Sequence, residues 1–168
     1  MVQFKICMIG AYRVGKTSLV ERFVRSLYSD EYHTTIGVKI DKKSMTVQGV
    51  DAKLMIWDIA GEDEFYTVNN NYLRGMAGYF LVMDGTRIVT LDMARKLHKR
   101  VELLKPGIPF VLIANKADMT DEWILDDKEV ENFSTSPYRF LKTSAKSGEN
   151  VEEAFTFLVE EMMQPRSK

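Results

Sequence analysis

The sequence contains little cysteine and little histidine, which limits its covalent and metal chemistry. Cys7 is the single cysteine among 168 residues, so an internal disulfide is excluded, and its place in an apolar run favours a buried thiol over a reactive one. Neither His33 nor His98 has a second histidine or a cysteine at metal-ligand spacing. We therefore expect both histidines to be exposed residues, of a loop and of a helix, rather than metal ligands.

Long hydrophobic runs and an excess of one charge are also absent. No segment is apolar over the length that a bilayer span requires, and the first residues lack the charged, apolar and small-residue order of a signal peptide. The net charge of −1 gives no electrostatic reason to expect nucleic acid or an anionic membrane as a partner. These absences predict a cytoplasmic protein that binds no nucleic acid.

The residues that are present are typical of one globular domain, which we expect to span residues 1–168. Hydrophobic residues make up 45% of the chain and charged ones 28%, a profile that excludes a disordered protein. Apolar runs of strand length alternate with stretches of helical periodicity, which is typical of an α/β fold with a mostly parallel sheet. The predicted strands are residues 3–9, 78–84, 110–115 and 139–144, with a hairpin around Gly49, and the clearest helices are residues 91–104 and 151–162. Asn150 and Glu153 predict a capping box at the start of the last helix.

The segment GAYRVGKT, residues 10–17, is a candidate phosphate loop because it follows a strand and opens a helix. Backbone N–H groups from Arg13 to Ser18 can converge on phosphate oxygens at the positive end of that helix. Lys16 would reach the β- and γ-phosphates, and Thr17 would offer its hydroxyl to Mg²⁺. A plain glycine-rich turn is the simpler interpretation, and the strand before and the helix after favour phosphate binding over it.

A carboxylate that could share this site ends the apolar segment LMIWDI. Asp58 can hold Mg²⁺ through water, and the N–H of Gly61 is free to approach a γ-phosphate. An aspartate turn at the end of a strand is an equally good interpretation of Asp58 alone. The phosphate loop makes the metal interpretation the better one.

Two tetrapeptides that follow later strands predict a guanine site. In NKAD, residues 115–118, the Asp118 carboxylate can accept hydrogen bonds from guanine N1–H and its amino group, neither of which adenine offers. Lys116 can lay its aliphatic stem along the base. In TSAK, residues 143–146, the N–H of Ala145 can meet the guanine carbonyl. An exposed loop aspartate is usually only solvated, but both tetrapeptides in this order favour guanine.

With GAYRVGKT, Thr35, WDIAG, NKAD and TSAK in this order, the sequence resembles the Ras superfamily of small GTPases over essentially its whole length. It is most similar to the Rab branch, through TTIGV (residues 34–38), WDIAG (57–61) and YLRGMAG (72–78). The resemblance implies a P-loop NTPase G domain, with a six-stranded, mostly parallel sheet that has one antiparallel edge strand and about five flanking helices. It also implies a guanine-nucleotide switch that uses GTP/GDP and Mg²⁺ and hydrolyses GTP.

The resemblance assigns roles to particular residues. Thr35 would bind Mg²⁺ only in the GTP state, and Tyr28 would pack edgewise near the guanine. Switch I (residues 28–40) and switch II (residues 60–74) would bind effectors, exchange factors and activating proteins. The expected catalytic residues are Arg13, Lys16, Thr35, Gly61 and Glu62, and the expected Mg²⁺ ligands are Thr17, Thr35 and Asp58. The expected nucleotide-binding residues are Arg13, Val14, Gly15, Lys16, Thr17, Ser18, Tyr28, Asn115, Lys116, Asp118, Ser144, Ala145 and Lys146.

Three departures from the family pattern bear on hydrolysis and anchoring. Glu62 replaces the water-orienting glutamine; its charge would repel a γ-phosphate, so we hypothesise slow intrinsic hydrolysis. Tyr12 and Arg13 replace small residues: Tyr12 can crowd the γ-phosphate, Arg13 can supply an arginine finger in cis, or both side chains can point to solvent. The chain ends without the prenylation cysteines of Rab proteins, so we expect no direct lipid anchor in this chain. Two explanations are open: the natural protein has no such anchor, or the sequence has been cut after the G domain.

The sequence leaves several alternative functions and affiliations open. A pseudo-GTPase held in one nucleotide state as a scaffold is the second interpretation, and an ATP-dependent kinase is poorly supported because NKAD favours guanine. The segment RVGKTS is also similar to the GTPase domains of Miro and Roco proteins. The acidic run of Glu62, Asp63 and Glu64 is expected to be a solvated face, and Arg100 with its basic neighbours is expected to be ordinary helix surface.

Overall fold

A computed structural model of the chain describes residues 1–32, 34–63, 67–135 and 138–166. The predictions for His33 and Glu64 therefore lie outside the described residues. The strands are β1 (Val2–Gly10), β2 (Val38–Val47), β3 (Val50–Ile59), β4 (Gly78–Asp84), β5 (Phe110–Asn115) and β6 (Tyr138–Lys142). The helices are α1 (Lys16–Arg25), α2 (Asn70–Leu73), α3 (Val89–Leu104), α4 (Val151–Met163) and a 3₁₀-helix (Asp127–Val130). In these residues no helix is both long and apolar enough to cross a membrane.

The six strands form one sheet in the order β2-β3-β1-β4-β5-β6. Only β2 runs antiparallel, because it is joined to β3 by a hairpin whose turn residues Gln48 and Gly49 both have positive φ. All the other pairings are parallel, as crossover helices require. The predicted six-stranded sheet with one antiparallel edge strand is confirmed.

The central strands are covered on both faces, which explains their unbroken apolar sequence. Every residue of β4 and of β5 is buried. One face packs against α1 and α4, where the rings of Phe23 and Phe155 stack with centroids 3.7 Å apart. The other face packs against α3 and the 3₁₀-helix. Cys7 is buried there as predicted, and burial raises the pKa of its thiol to about 12.

The described residues contain four α-helices rather than about five, and the connection from β5 to β6 holds only the short 3₁₀-helix. In this connection the backbone N–H groups of Ile124 and Leu125 donate to the carbonyl of Gly85 rather than to a preceding turn. The indole N–H of Trp123 donates to the carbonyl of Leu125. The connection therefore consists of turns and a 3₁₀-helix and is tied to the loop after β4.

Helix capping also differs from the prediction. Asn150 has a left-handed conformation with no side-chain cap, and its amide donates instead to the carbonyl of Lys142 at 2.8 Å. Glu153 accepts from Arg139 at 2.6 Å. The predicted capping box is wrong. One does exist at the 3₁₀-helix, where Oε2 of Glu129 accepts from the N–H of Asp126 and Oδ1 of Asp126 accepts from the N–H of Lys128, each at 3.0 Å.

His98 is a buried core residue, so its predicted exposure is wrong. It lies on the inner face of α3, with 8% of its surface exposed. Its Nδ1 is 2.8 Å from the hydroxyl of Tyr79 and its Nε2 is 3.0 Å from that of Ser134. Its ring packs against those of Phe110 and Phe133. Burial lowers the pKa of His98, with Glu102 opposing the effect.

This lowered pKa predicts a pH dependence of folding. Because His98 binds a proton less readily in the folded state than in the unfolded state, the free energy of unfolding falls as the pH drops below the unfolded pKa of ~6.5, by at most about 1.4 kcal/mol per pH unit for one group. Urea denaturation between pH 7.5 and 5 measures this. A His98→Gln variant should be less stable at pH 7.5 but should lose less stability on acidification, and an equal slope in both proteins would contradict the prediction.

Candidate nucleotide-binding site

The phosphate loop (residues 10–17) is fixed by close backbone approaches at its two glycines. A Cβ on Gly10 would lie 2.2 Å from the carbonyl oxygen of Val82 on β4. A Cβ on Gly15 would lie 2.3 Å from Nδ2 of Asn115, and Gly15 also has φ +100°. The loop therefore requires glycine at positions 10 and 15. Helix α1 begins at Lys16, directly after Gly15, so its free N–H groups face the loop.

Lys16 is buried inside the loop. Its Nζ donates to the carbonyl oxygens of Gly10 at 3.3 Å and Ala11 at 3.0 Å. Burial lowers its pKa to about 8, and the charge of Asp58 opposes that shift. The ammonium group is thus held at the centre of the loop with little hydration, where a phosphate would be its natural counter-ion.

The three predicted Mg²⁺ ligands lie together. The hydroxyl oxygens of Thr17 and Thr35 are 2.7 Å apart, and Thr17 donates to Oδ2 of Asp58 at 2.7 Å. Asp58 is 1% exposed, and its Oδ1 has no hydrogen-bond partner among the described residues. Burial raises the pKa of Asp58, while Thr17 and Lys16 lower it. Two hydroxyls and a buried carboxylate oxygen left without a partner fit a hard cation such as Mg²⁺.

The predicted base-binding residues line one cavity of about 150 Å³. It is bounded by Gly15 of the phosphate loop, by Ser18 of α1, by Tyr28 of switch I, and by the segments after β5 and β6. Its lining residues are Gly15, Ser18, Tyr28, Asn115, Lys116, Asp118, Met119, Ala145 and Lys146. Met119 is the one lining residue that sequence reasoning missed. It directly follows Asp118, but a methionine carries no signal of its own.

Asn115 connects the loops that build this cavity. Its side-chain amide donates to the carbonyl of Val14 at 3.0 Å, and its Oδ1 accepts from the hydroxyl of Thr143 at 3.1 Å and from the N–H of Ala145 at 3.3 Å. The N–H of Ala145, expected to meet the guanine carbonyl, is thus engaged with Asn115 over a long hydrogen bond. Asn115 positions the phosphate loop and the TSAK segment relative to each other.

Asp118 and Lys116 are each held by a second residue. The hydroxyl of Ser144, which is fully buried, donates to Oδ1 of Asp118 at 2.7 Å. Nζ of Lys116 lies 2.9 Å from Oδ2 of the buried Asp84. Ser144 therefore orients the carboxylate that would read guanine, and Asp84 holds the aliphatic stem of Lys116 in place.

Arg22 on α1 is a site residue that sequence reasoning missed. Its Nε donates to the carbonyl of Ala145 at 2.7 Å, and its NH2 group donates to the carbonyl of Lys146. The guanidinium thus holds the TSAK backbone from the outside of the cavity. Arg22 lies 123 positions from Ala145, so only the folded chain brings the two together.

The tip of the phosphate loop contacts switch I. The rings of Tyr12 and Tyr32 meet edge to face with centroids 5.6 Å apart, and the guanidinium of Arg13 lies 4.4 Å from the Tyr32 ring centroid. Hydrogen bonding to Thr34, then to Tyr32, lowers the pKa of Tyr12. Arg87 donates to the carbonyl of Tyr12 at 3.0 Å. The two bulky residues therefore do not simply point to solvent.

Glu62 is buried, with 8% of its surface exposed, so the expectation of a solvated acidic face is wrong for this residue. Its carboxylate accepts from both NH groups of Arg100 on α3, each at 3.0 Å, and from the N–H of Val68 at 3.0 Å. Its backbone pairs with the phosphate loop, through Gly10 and Tyr12. Arg100 is therefore a partner of switch II rather than ordinary helix surface.

Gly61 packs directly on the phosphate loop. A Cβ there would lie 2.5 Å from the Cα of Tyr12. This contact places the backbone of Gly61 against Ala11 and Tyr12 of the phosphate loop. The catalytic role expected of Gly61 stays a prediction.

Comparison with known proteins identifies the class. The model of the Ras family matches residues 5–164, so the chain belongs to the Ras family, whose members are GTP-binding molecular switches and GTPases. Several similar proteins are named as Ras-related Rab proteins or as GTP-binding. Human Ras-related protein Rab-4B is 38% identical over 154 residues, covering 90% of this chain and 72% of the relative.

Two further relatives agree with this assignment. Ras-related protein Rab-1A of Dictyostelium discoideum is 34% identical over 161 residues, 95% of this chain and 80% of the relative. GTP-binding protein ypt1 of Schizosaccharomyces pombe is 34% identical over 154 residues, 90% of this chain and 76% of the relative. The chain is therefore a Rab-like small GTPase of the Ras superfamily.

The position of Arg22 predicts that it supports nucleotide binding without touching the phosphate loop. Replacing Arg22 with alanine removes two charge-assisted hydrogen bonds to the TSAK backbone, each worth about 1.5 kcal/mol before discounting for its partial exposure. We expect the affinity for a fluorescent GDP to fall roughly 5- to 20-fold. Arg25→Ala, one turn further along α1, removes ion pairs to Glu21 and Asp41 instead and should leave the affinity unchanged.

Proposed function

We propose that the chain binds GTP and GDP together with Mg²⁺, selects guanine through Asp118, and hydrolyses GTP slowly unless an activating protein assists. The observation that carries this proposal is the contact between Thr35 of switch I and Thr17 of the phosphate loop, whose hydroxyls are 2.7 Å apart beside Asp58. This contact supports a switch function because the predicted metal site joins the phosphate loop to switch I, to which partner proteins could bind.

Mg²⁺ would be held by Thr17, Thr35 and Asp58, and when bound it would neutralise charge on the β- and γ-phosphates. The chain's own groups would do the rest. Lys16 and the N–H groups of residues 13–18 would bind the phosphates, and the N–H of Gly61 would donate to the γ-phosphate. Loss of the γ-phosphate would remove the interactions that hold Thr35 and Gly61 at the site, and both switches would then be released.

Guanine selectivity would follow from the pairing of Asp118 with Ser144. The serine hydroxyl occupies one side of Oδ1, which leaves the remaining acceptor sites of the carboxylate for the N1–H and amino group of guanine. Adenine would leave those sites unpaired. Tyr28, which lines the same cavity and is 39% exposed, would cover an edge of the base.

Slow intrinsic hydrolysis is supported by the position of Glu62. Its carboxylate is bound by Arg100 and by the N–H of Val68, so it is not available to orient a water molecule. The same contacts favour the second candidate, a pseudo-GTPase scaffold held in one nucleotide state. Measuring the bound nucleotide and phosphate release of purified protein separates the two.

Switch I offers apolar side chains to which partners could bind. Ile36 is 90% exposed and Ile40 is 44% exposed. Exposed apolar side chains of this size can contribute contact area to a partner that binds there. We propose that effectors, exchange factors and activating proteins contact residues 28–40 and 60–74.

Glu62→Gln should accelerate hydrolysis. A neutral amide is held by Arg100 about half as strongly as a carboxylate, so it leaves the ion-pair position more readily, and it can both accept from water and donate to a phosphate oxygen. We expect single-turnover hydrolysis of GTP to rise roughly 3- to 10-fold. A rate equal to that of the wild type would refute the role of Glu62 in slowing the reaction.

Arg13→Ala separates the two roles that its position allows. Because the guanidinium lies on the Tyr32 ring, we expect it to hold switch I rather than to act as an arginine finger in cis. Hydrolysis should then change less than about 3-fold, far below the ~10³-fold effect of a finger. Intrinsic fluorescence of the tyrosine cluster should change in the variant, and a large loss of hydrolysis would instead establish the finger.

A further inference from the structure

The ion pair between Glu62 and Arg100 joins switch II to helix α3. Both guanidinium NH groups donate to the carboxylate, one to each oxygen, at 3.0 Å. The side chain of Glu62 is 9% exposed and that of Arg100 is 27% exposed. A pair this far from solvent is not a surface salt bridge of negligible effect, and loss of Arg100 would leave a buried carboxylate without a counter-ion.

The backbone and the side chain of Glu62 face different parts of the molecule. Its N–H donates to the carbonyl of Gly10 at 3.1 Å, and its carbonyl accepts from the N–H of Tyr12 at 3.0 Å, so the backbone lies against the phosphate loop. The carboxylate lies instead on α3. An acidic residue is therefore placed beside the phosphate loop with its charge directed away from it.

A second contact fixes the carboxylate in this orientation. Oε2 of Glu62 accepts from the buried N–H of Val68 at 3.0 Å. Val68 is 3% exposed and belongs to the same core cluster as Leu97 and Val101 of α3. The carboxylate of Glu62 thus connects two parts of switch II, residues 62 and 68, and its ion pair with Arg100 connects both to α3.

We propose that Arg100 is a positioning residue that neutralises Glu62 and holds its carboxylate away from the phosphate loop, so that the site accepts the γ-phosphate of GTP. This inference rests on the proposed function, since it concerns how that site distinguishes GTP from GDP. Without Arg100, the charge of Glu62 would be uncompensated next to the loop. It would repel the γ-phosphate, which GDP lacks, and so weaken GTP binding more than GDP binding.

The test is the ratio of GTP to GDP affinity. Dissociation constants for GDP and for the non-hydrolysable analogue β,γ-imido-GTP, in excess Mg²⁺, would be measured for wild type, Arg100→Gln, Arg100→Lys and Lys99→Gln. We expect Arg100→Gln to lower the preference for the GTP analogue roughly 5- to 10-fold, the effect of one added unit charge at several ångströms in a partly solvated site. Arg100→Lys, a cation with one point of contact, should lower it about twofold.

Lys99→Gln is the matched control, because it removes the neighbouring exposed positive charge of the same helix. It should leave the ratio unchanged. A general loosening of the fold would weaken both nucleotides equally and so would not change the ratio either. An unchanged ratio in Arg100→Gln would overturn the proposal, and if that variant does not fold, an unchanged ratio in Arg100→Lys does the same.

A double variant checks that Arg100 acts through Glu62. In the Glu62→Gln background there is no charge to neutralise, so adding Arg100→Gln should change the ratio less than twofold. A full 5- to 10-fold fall in this background would show that Arg100 acts on the nucleotide by another route and would overturn the proposal. Hydrogen exchange of the Val68 amide should accelerate in Arg100→Gln, because its acceptor is released.

Failure of this inference and failure of the proposed function give different results. If wild type binds neither guanine nucleotide, the proposed function is wrong, while Val68 exchange still reports whether Arg100 holds Glu62. If wild type binds both nucleotides and Arg100→Gln keeps the wild-type ratio and the wild-type Val68 exchange, only the role of Arg100 is wrong.

Discussion

The side-chain amide of Asn115 joins three segments that build the candidate nucleotide pocket. Its three hydrogen bonds join the phosphate loop to the segments that follow β5 and β6, and its closeness to Gly15 leaves no room for any other residue there. An amide is suited to this position because it donates and accepts at once, whereas a carboxylate could only accept. Arg22 and Ser144 extend the same framework to the backbone of TSAK and to Asp118.

The two switches are attached to this framework by side chains of very different character. Switch I is held by hydroxyls at Thr35 and by rings and a guanidinium around Tyr32, all of which can separate with little cost because they are partly exposed. Switch II is held by a buried ion pair whose separation would leave a charge in a poorly hydrated place. The structure therefore opposes movement of switch II more strongly than movement of switch I.

The sequence predicted the sheet, and it singled out the residues that line the cavity and the cluster of Thr17, Thr35 and Asp58, because each depends on local signals: an apolar run, a glycine frame, or a short polar motif after a strand. It failed where the outcome depended on distant partners. Arg100 and Arg22 look like surface residues until α3 and α1 are packed, and His98 looks exposed until its helix face is known. The connection after β5 depends on a distant residue in the same way, since the N–H groups of Ile124 and Leu125 donate to the carbonyl of Gly85.

The unequal burial of Glu62 and Arg100 also determines which of the two residues can be replaced first during evolution. If Glu62 is replaced first, the remaining guanidinium of Arg100 is 27% exposed and can be hydrated. If Arg100 is replaced first, the remaining carboxylate of Glu62 is only 9% exposed. The second route passes through an intermediate destabilised by ~3–5 kcal/mol, a large part of the stability of a domain of this size. A lineage could therefore reach glutamine at position 62 in a single step, but could discard Arg100 only after Glu62 had gone.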